Sequence, residues 1–168
     1  MNQTPVKQAH INGSGFLVLG RNRVKAISFT GTASAGFLAL FDTTTAPVTT
    51  ATYGRSGTTV TITQSAHGLT TGQVIGIDFA AGTGGTATNG NYAVTVTNSS
   101  TFTITDINSG TITGSPGLVY ASRWLLSYDC SAGDSYNNSP FIPDDGVVAV
   151  DGIYAYLSNV AAANIYYG

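Results

Sequence analysis

Short apolar runs alternate with polar ones along most of the chain, and Gly, Asn, Asp, Ser and Pro stand between them. This is the period of β-strands, whose successive side chains point to opposite faces. Gly15 to Leu19, Arg23 to Phe29 and Phe37 to Phe41 predict a meander of short strands, the third stopping at Asp42, with Gly31 to Gly36 as a small-residue turn. Thr58 to Thr63 alternates strictly, and Gln73 to Phe79, Asn91 to Val96 and Thr101 to Ile104 continue in the same manner. Further on, Leu118 to Tyr128 carries Trp124, Leu125 and Leu126. A polar loop is expected over Asp129 to Pro140, then strands over Gly146 to Val150, Ile153 to Leu157 and Asn164 to Gly168. Met1 to His10 is polar, contains Pro5 and reads as a flexible or partner-docked arm.

Two stretches break this pattern. From Thr43 to about Gly57 the chain turns to Thr, Ala, Ser and Gly, with Pro47 set against regular pairing. Asn108 to Gly117 is similar and contains Pro116. The segments outside these junctions hold too few strands to close a core alone, so they are expected to pair with each other. The expected fold is therefore all-β. Residues 1–54 and 118–168 form a discontinuous β-sandwich, interrupted by a small β-barrel module at residues 55–117.

Charge narrows the class further. Only 8% of the 168 residues are charged, against roughly 25% in ordinary soluble proteins. All eight acidic residues are Asp, and Lys7 and Lys25 are the only lysines. A chain without Glu and nearly without Lys lacks the usual fillers of exposed helix faces, which excludes bundles and coiled coils. The net charge of −2 and six positive residues argue against nucleic acid as a partner. No apolar run approaches the ~18 residues of a membrane span, so no membrane partner is expected. The first residues lack a basic stretch followed by an apolar one, so secretion is not expected and assembly in a cytoplasm is. A surface so poor in charge is weakly defended against self-association, which suits a protein that works assembled.

Residues able to carry chemistry are scattered. Asp129, Asp134, Asp144, Asp145 and Asp151 supply oxygen ligands for a hard cation, but no EF-hand spacing is present and Pro143-Asp144-Asp145-Gly146 is what a turn requires. His10 and His67 are too few and too far apart for a metal site, and His67 reads as a hydrogen-bonded turn residue. Cys130 has no second cysteine to pair with. No Gly-X-Ser-X-Gly elbow occurs and nothing nominates a carboxylate pair. No catalytic residue, cofactor or metal is therefore assigned, and no enzymatic activity is expected.

Partner contacts are better represented. Arg21, Arg23 and Lys25 alternate, so one extended strand would project all three from one face, either to dock on an acidic neighbour or to block unwanted edge pairing. Tyr53, Tyr120, Trp124, Tyr128, Tyr136, Tyr154, Tyr156, Tyr166 and Tyr167 form an aromatic set expected mainly in the outer domain. Such rings suit protein interfaces and also stack on sugars. Arg21, Arg23, Lys25, Trp124, Tyr154, Tyr156, Tyr166 and Tyr167 are the candidate partner interface.

Two resemblances cover most of the chain. Ile62-Thr-Gln-Ser-Ala-His-Gly-Leu-Thr-Thr-Gly-Gln-Val-Ile-Gly-Ile77, Asn89-Gly-Asn-Tyr-Ala-Val94 and Ser100-Thr-Phe-Thr-Ile104 resemble small β modules similar to the first catalytic-cysteine half-domain (FCCH) of ubiquitin-activating enzymes. Such modules recur in bacteriophage structural and tail proteins. No cysteine lies between Thr58 and Gly117, so the resemblance implies a fold and no thioester chemistry. The outer halves, through Arg23 to Asp42, Ile142 to Val147, Gly152 to Val160 and Tyr166-Tyr-Gly168, resemble small virion proteins of marine and cyanobacterial phages. The interruption between Tyr53 and about Val119 departs from that pattern and suits an inserted module. These resemblances imply a non-enzymatic virion structural protein, a capsid decoration, cement or head-fibre component on the outer capsid surface. Expected partners are the major capsid protein or other virion subunits, in a homo-oligomer with a trimer favoured. A tail, neck or baseplate component, or an adhesion module binding a host glycan, is the alternative.

Overall fold

The computed structural model describes residues 5–136, 142 and 145–168. Among these residues the fold is all-β, without a helix. In chain order the strands are β1 (Lys7–Ile11), β2 (Gly15–Leu19), β3 (Asn22–Gly31), β4 (Gly36–Asp42), β5 (Val48–Ser56), β6 (Thr59–Thr63), β7 (Val74–Phe79) and β8 (Gly90–Ala93). They continue as β9 (Thr95–Asn98), β10 (Thr101–Thr105), β11 (Gly117–Ala121), β12 (Arg123–Cys130), β13 (Ser135–Tyr136), β14 (Val147–Ala149), β15 (Gly152–Ser158) and β16 (Val160–Tyr167).

The chain divides into two compact units. Unit 1 is Met1–Ala46 with Leu125–Gly168, and unit 2 is Pro47–Trp124. Unit 1 is a sandwich of two sheets. One has the order β1-β16-β3-β13 with β14 also on β3, and the other β12-β4-β15-β2. Val24, Ile27 and Phe29 of β3 and Ala163, Ile165 and Tyr167 of β16 meet Leu38 and Leu40 of β4 and Ile153 and Ala155 of β15 in its core. The first and last segments thus complete one another, because burying the inner face of each sheet requires strands from both.

Unit 2 is a single seven-stranded sheet, β8-β7-β11-β5-β6-β10-β9, nearly closed into a barrel. Its separate core includes Tyr53, Val60, Ile62, Ile75, Ile77, Phe79, Phe102, Ile104 and Leu118. Tyr53 and Tyr120 therefore belong here, although the aromatic set was expected mainly in the outer domain.

Several elements depart from the sequence reading. Lys7 to His10 of the expected arm, together with Ile11, form β1, registered on β16 with Lys7 opposite Tyr167 and Ile11 opposite Ala163; Ala9 and Ile11 pack against the core. The expected junction after Thr43 contains β5, a nine-residue central strand that starts directly after Pro47 and pairs with both β6 and β11. Unit 2 consequently starts before residue 55 and ends after residue 117. The single strand expected over Asn91 to Val96 is two. At buried Val94 the chain leaves β7 as partner and takes up β10. The expected loop from Asp129 begins later, since β12 runs to Cys130 and β13 pairs with β3; residues 137–141 and 143–144 lie outside the described residues.

Candidate functional site

In β15, Ile153 and Ala155 point into the core, so Tyr154 and Tyr156 stand on the outer face of their sheet. Phe16 of β2 is registered opposite Tyr154, their rings edge-on at 4.9 Å, and Phe41 of β4 lies opposite Tyr154 on its other side. An aromatic row therefore crosses three strands, graded from Phe16, 43% exposed, through half-buried Tyr154 to fully buried Phe41. Tyr156 packs on Phe37 with ring centres 5.5 Å apart. Burial, reinforced by the nearby Tyr154, pushes the Tyr156 hydroxyl above its ordinary pKa. At the free edge of this sheet β2 is Gly15-Phe-Leu-Val-Leu19, without a charged residue. Leu19 at its end is 65% exposed.

The other candidates do not join this row. Tyr166 lies on the outer face of the opposite sheet, registered against Gln8 and Ala26. Beside it Asn164 ties three strands: its Oδ1 accepts from Gln8 Nε2 at 3.0 Å and lies 2.9 Å from His10 Nδ1, and its Nδ2 donates to Ser28 Oγ at 3.4 Å. Tyr167 is only 9% exposed and faces the core, which removes it from the candidate interface. Position decides this. Tyr167 shares the parity of Ile165 and Ala163, a parity that the repeated Tyr-Tyr conceals.

Arg21, Arg23 and Lys25 do not form the regular row that their spacing implies. Arg21 precedes β3. The register slips between Tyr166 opposite Ala26 and Tyr167 opposite Val24, which makes Lys25 a bulge residue. Val24 and Ile27 remain inward across the slip. Trp124 belongs to unit 2, half-buried, with its indole N–H donating to Asp78 Oδ2 at 3.3 Å. Asn91 clasps its backbone, accepting its N–H at 2.8 Å and donating to its carbonyl at 3.1 Å.

Unit 2 contains a polar cluster that alternation did not reveal. Arg55 of β5 points inward like Tyr53 and pairs with Asp106 at the end of β10; both are buried. Asp106 Oδ2 also accepts from the Thr88 N–H at 3.2 Å, and Oδ1 from the Asn108 N–H at 3.1 Å. Burial by itself raises this carboxyl's pKa, but the hydrogen bonds from Thr88, Asn108 and Arg55 outweigh it and hold the group below the ordinary carboxylate range. The Tyr53 hydroxyl donates to Ala80 at 2.7 Å, that of Tyr92 donates to Thr88, and Asn108 Nδ2 donates to Thr88 Oγ1 at 2.9 Å. Burial raises both phenol pKa values. Together these bonds fix the connection between β7 and β8 against the one that follows β10. The signal available in sequence was Arg55 at an inward strand position, since a buried charge requires a partner.

His67 sits in a turn, its Nδ1 accepting from the Leu69 N–H at 3.0 Å and its Nε2 2.8 Å from the Asn98 carbonyl. Its ring meets Phe102 edge-on at 5.2 Å. Asp42 ends β4 and accepts backbone N–H bonds from Val150, Asp151 and Gly152 at 2.8, 2.8 and 3.1 Å. Asp134 Oδ2 accepts from the Ser131 N–H at 3.0 Å, and Cys130 is buried. Among the described residues no three His, Cys, Asp or Glu side chains gather as a metal set; Asp144 lies outside them.

In comparisons with known proteins, no family model, no curated protein and no solved structure matches this chain.

Proposed function

We propose that the protein is a non-enzymatic structural subunit of a bacteriophage particle, attached to other virion subunits through the outer aromatic face of unit 1. The observation that carries this reading is the row of Phe16, Tyr154 and Phe41 beside the uncharged edge strand β2. Phe16 and Tyr154, partly exposed and already packed against one another over buried Phe41, lose little conformational freedom on docking and bury much apolar area. An edge without charge also opposes no incoming surface. The resemblances of both segments to phage structural proteins favour a partner among virion subunits, with the major capsid protein first, and the subunit itself in a homo-oligomer, a trimer favoured. Unit 2, with its pinned loops, is then the module that the particle presents.

Mass spectrometry of density-purified particles tests the assignment, which fails if the chain is absent from them. Particle imaging then separates a shell position from a tail, neck or baseplate one. A Phe16→Thr/Tyr154→Thr variant, which keeps strand-forming side chains and adds no opposed charges, should still fold with a β-type circular dichroism spectrum and a cooperative thermal transition. Because central interface aromatics each carry ~2 kcal/mol or more, it should be incorporated at least ~30-fold less well.

A further inference from the structure

Asn-Gly occurs twice in the chain, at Asn12-Gly13 and Asn89-Gly90, and the two steps stand in opposite surroundings. Asn12 and Gly13 are exposed in the turn between β1 and β2. No side-chain partner holds Asn12 among the described residues, and the space around Gly13 is open to 4 Å. Asn89 is half-buried, and its Oδ1 accepts the Phe79 N–H at 2.8 Å. Gly90, which follows it, begins β8 and is registered opposite Ile77.

We propose that Asn12 is a site of spontaneous deamidation and that the structure protects Asn89 from the same reaction. Asn is among the chemically labile residues, and a following Gly, lacking Cβ, lets its backbone nitrogen approach the side-chain carbonyl. The Gly13 nitrogen attacks Cγ of Asn12. The N–Cγ bond forms, the Cγ–Nδ2 bond breaks, and ammonia leaves with the proton that the backbone nitrogen gives up. Water then opens the five-membered imide. Cleavage at Cγ leaves an ordinary aspartyl residue, and cleavage at the backbone carbonyl gives an isoaspartyl link in which the main chain runs through the former side chain. At Asn89 the attack first requires the Phe79 bond to break and the β7–β8 pairing to open.

The product matters for unit 1. Ser14, two residues on, accepts the Leu157 N–H at 2.9 Å and donates to the Leu157 carbonyl at 3.4 Å, which anchors the start of β2 on β15. An isoaspartyl link adds a backbone carbon to this short turn, and either product adds a negative charge beside it. Ageing would therefore act on the strand that carries Phe16.

The test incubates the purified full chain at mildly alkaline pH and follows peptides covering both steps by mass spectrometry, with isoaspartate detection. The Asn12 peptide should gain the mass of a carboxyl in place of an amide. The Asn89 peptide should convert at least ~10-fold more slowly, the factor set by about 1.4 kcal/mol of local opening. In denaturant the two rates should converge, since the protection is then gone. A Gly13→Ala variant, whose methyl meets open space, should keep the fold and slow the reaction at Asn12. Equal rates at the two sites in the folded chain, a tenfold gap that persists in denaturant, or an unslowed Gly13→Ala variant would each overturn the proposal.

Discussion

Arg55 and Asp106 show how one pair of side chains governs a region of unit 2. Two charges out of water are tolerable only while each answers the other, and here Thr88 and Asn108 supply further bonds to the carboxylate. Asp106→Asn leaves the guanidinium without its counter-charge and should cost ~3–5 kcal/mol in denaturant unfolding, whereas Arg55→Met with Asp106→Leu should recover much of that loss. The pH dependence follows from the depressed carboxyl. A group whose pKa is lower folded than unfolded contributes stability above its unfolded value, about 4, and loses it as pH falls through the folded value. Denaturation midpoints measured downward from pH 6 should therefore fall below about pH 4. In Asp106→Asn, this residue's part of that slope should vanish. A parent and variant with the same acid slope would contradict the assignment. Legibility at this scale was uneven. The parity of Tyr154 and Tyr156 was readable from their alternation with Ile153 and Ala155. The burial of Tyr167 and the bulge at Lys25 were not, because both depend on register with a neighbouring strand.

At the scale of elements, strands with strong apolar alternation were legible and weakly apolar ones were hidden. β2 was readable to its end residues, and β6 nearly so. β5 escaped because its inward positions are Ala51, Tyr53 and Arg55 among Thr and Gly, and a central strand needs only that its neighbours supply the apolar surface. β1 escaped because Lys7, Gln8 and His10 dominate a strand whose inward residues are only Ala9 and Ile11. Gly76 in β7 marks another feature that only structure reveals. It lies between buried Ile75 and Ile77, and a methyl group there would overlap the backbone at Trp124. Gly76→Ala should cost ~1–3 kcal/mol by overpacking, read as a lowered melting temperature. An unchanged temperature would show that the backbone at Trp124 yields freely.

At the scale of the whole molecule, the buried apolar side chains of the described residues fall into two clusters, one in each unit. Val48 is registered opposite Tyr120, so the chain enters and leaves unit 2 side by side, as an inserted domain requires. Residues 47–124 expressed alone should therefore fold. A β-type circular dichroism spectrum and one cooperative thermal transition are expected, and a disordered product would show that unit 2 depends on unit 1.

The sequence by itself determined the all-β class, because the absence of Glu, the scarcity of Lys and the two-residue period leave little else to build. It also determined that the outer segments must complete one another, since neither holds enough strands to cover a core. Only the tertiary structure decided where unit 2 begins, that Tyr167 is a core residue, and that Arg23 and Lys25 of β3 belong to a different sheet of the sandwich from the aromatic row. The reason is physical: period states which side chains share a face of one strand, whereas burial and charge pairing depend on which strands become neighbours.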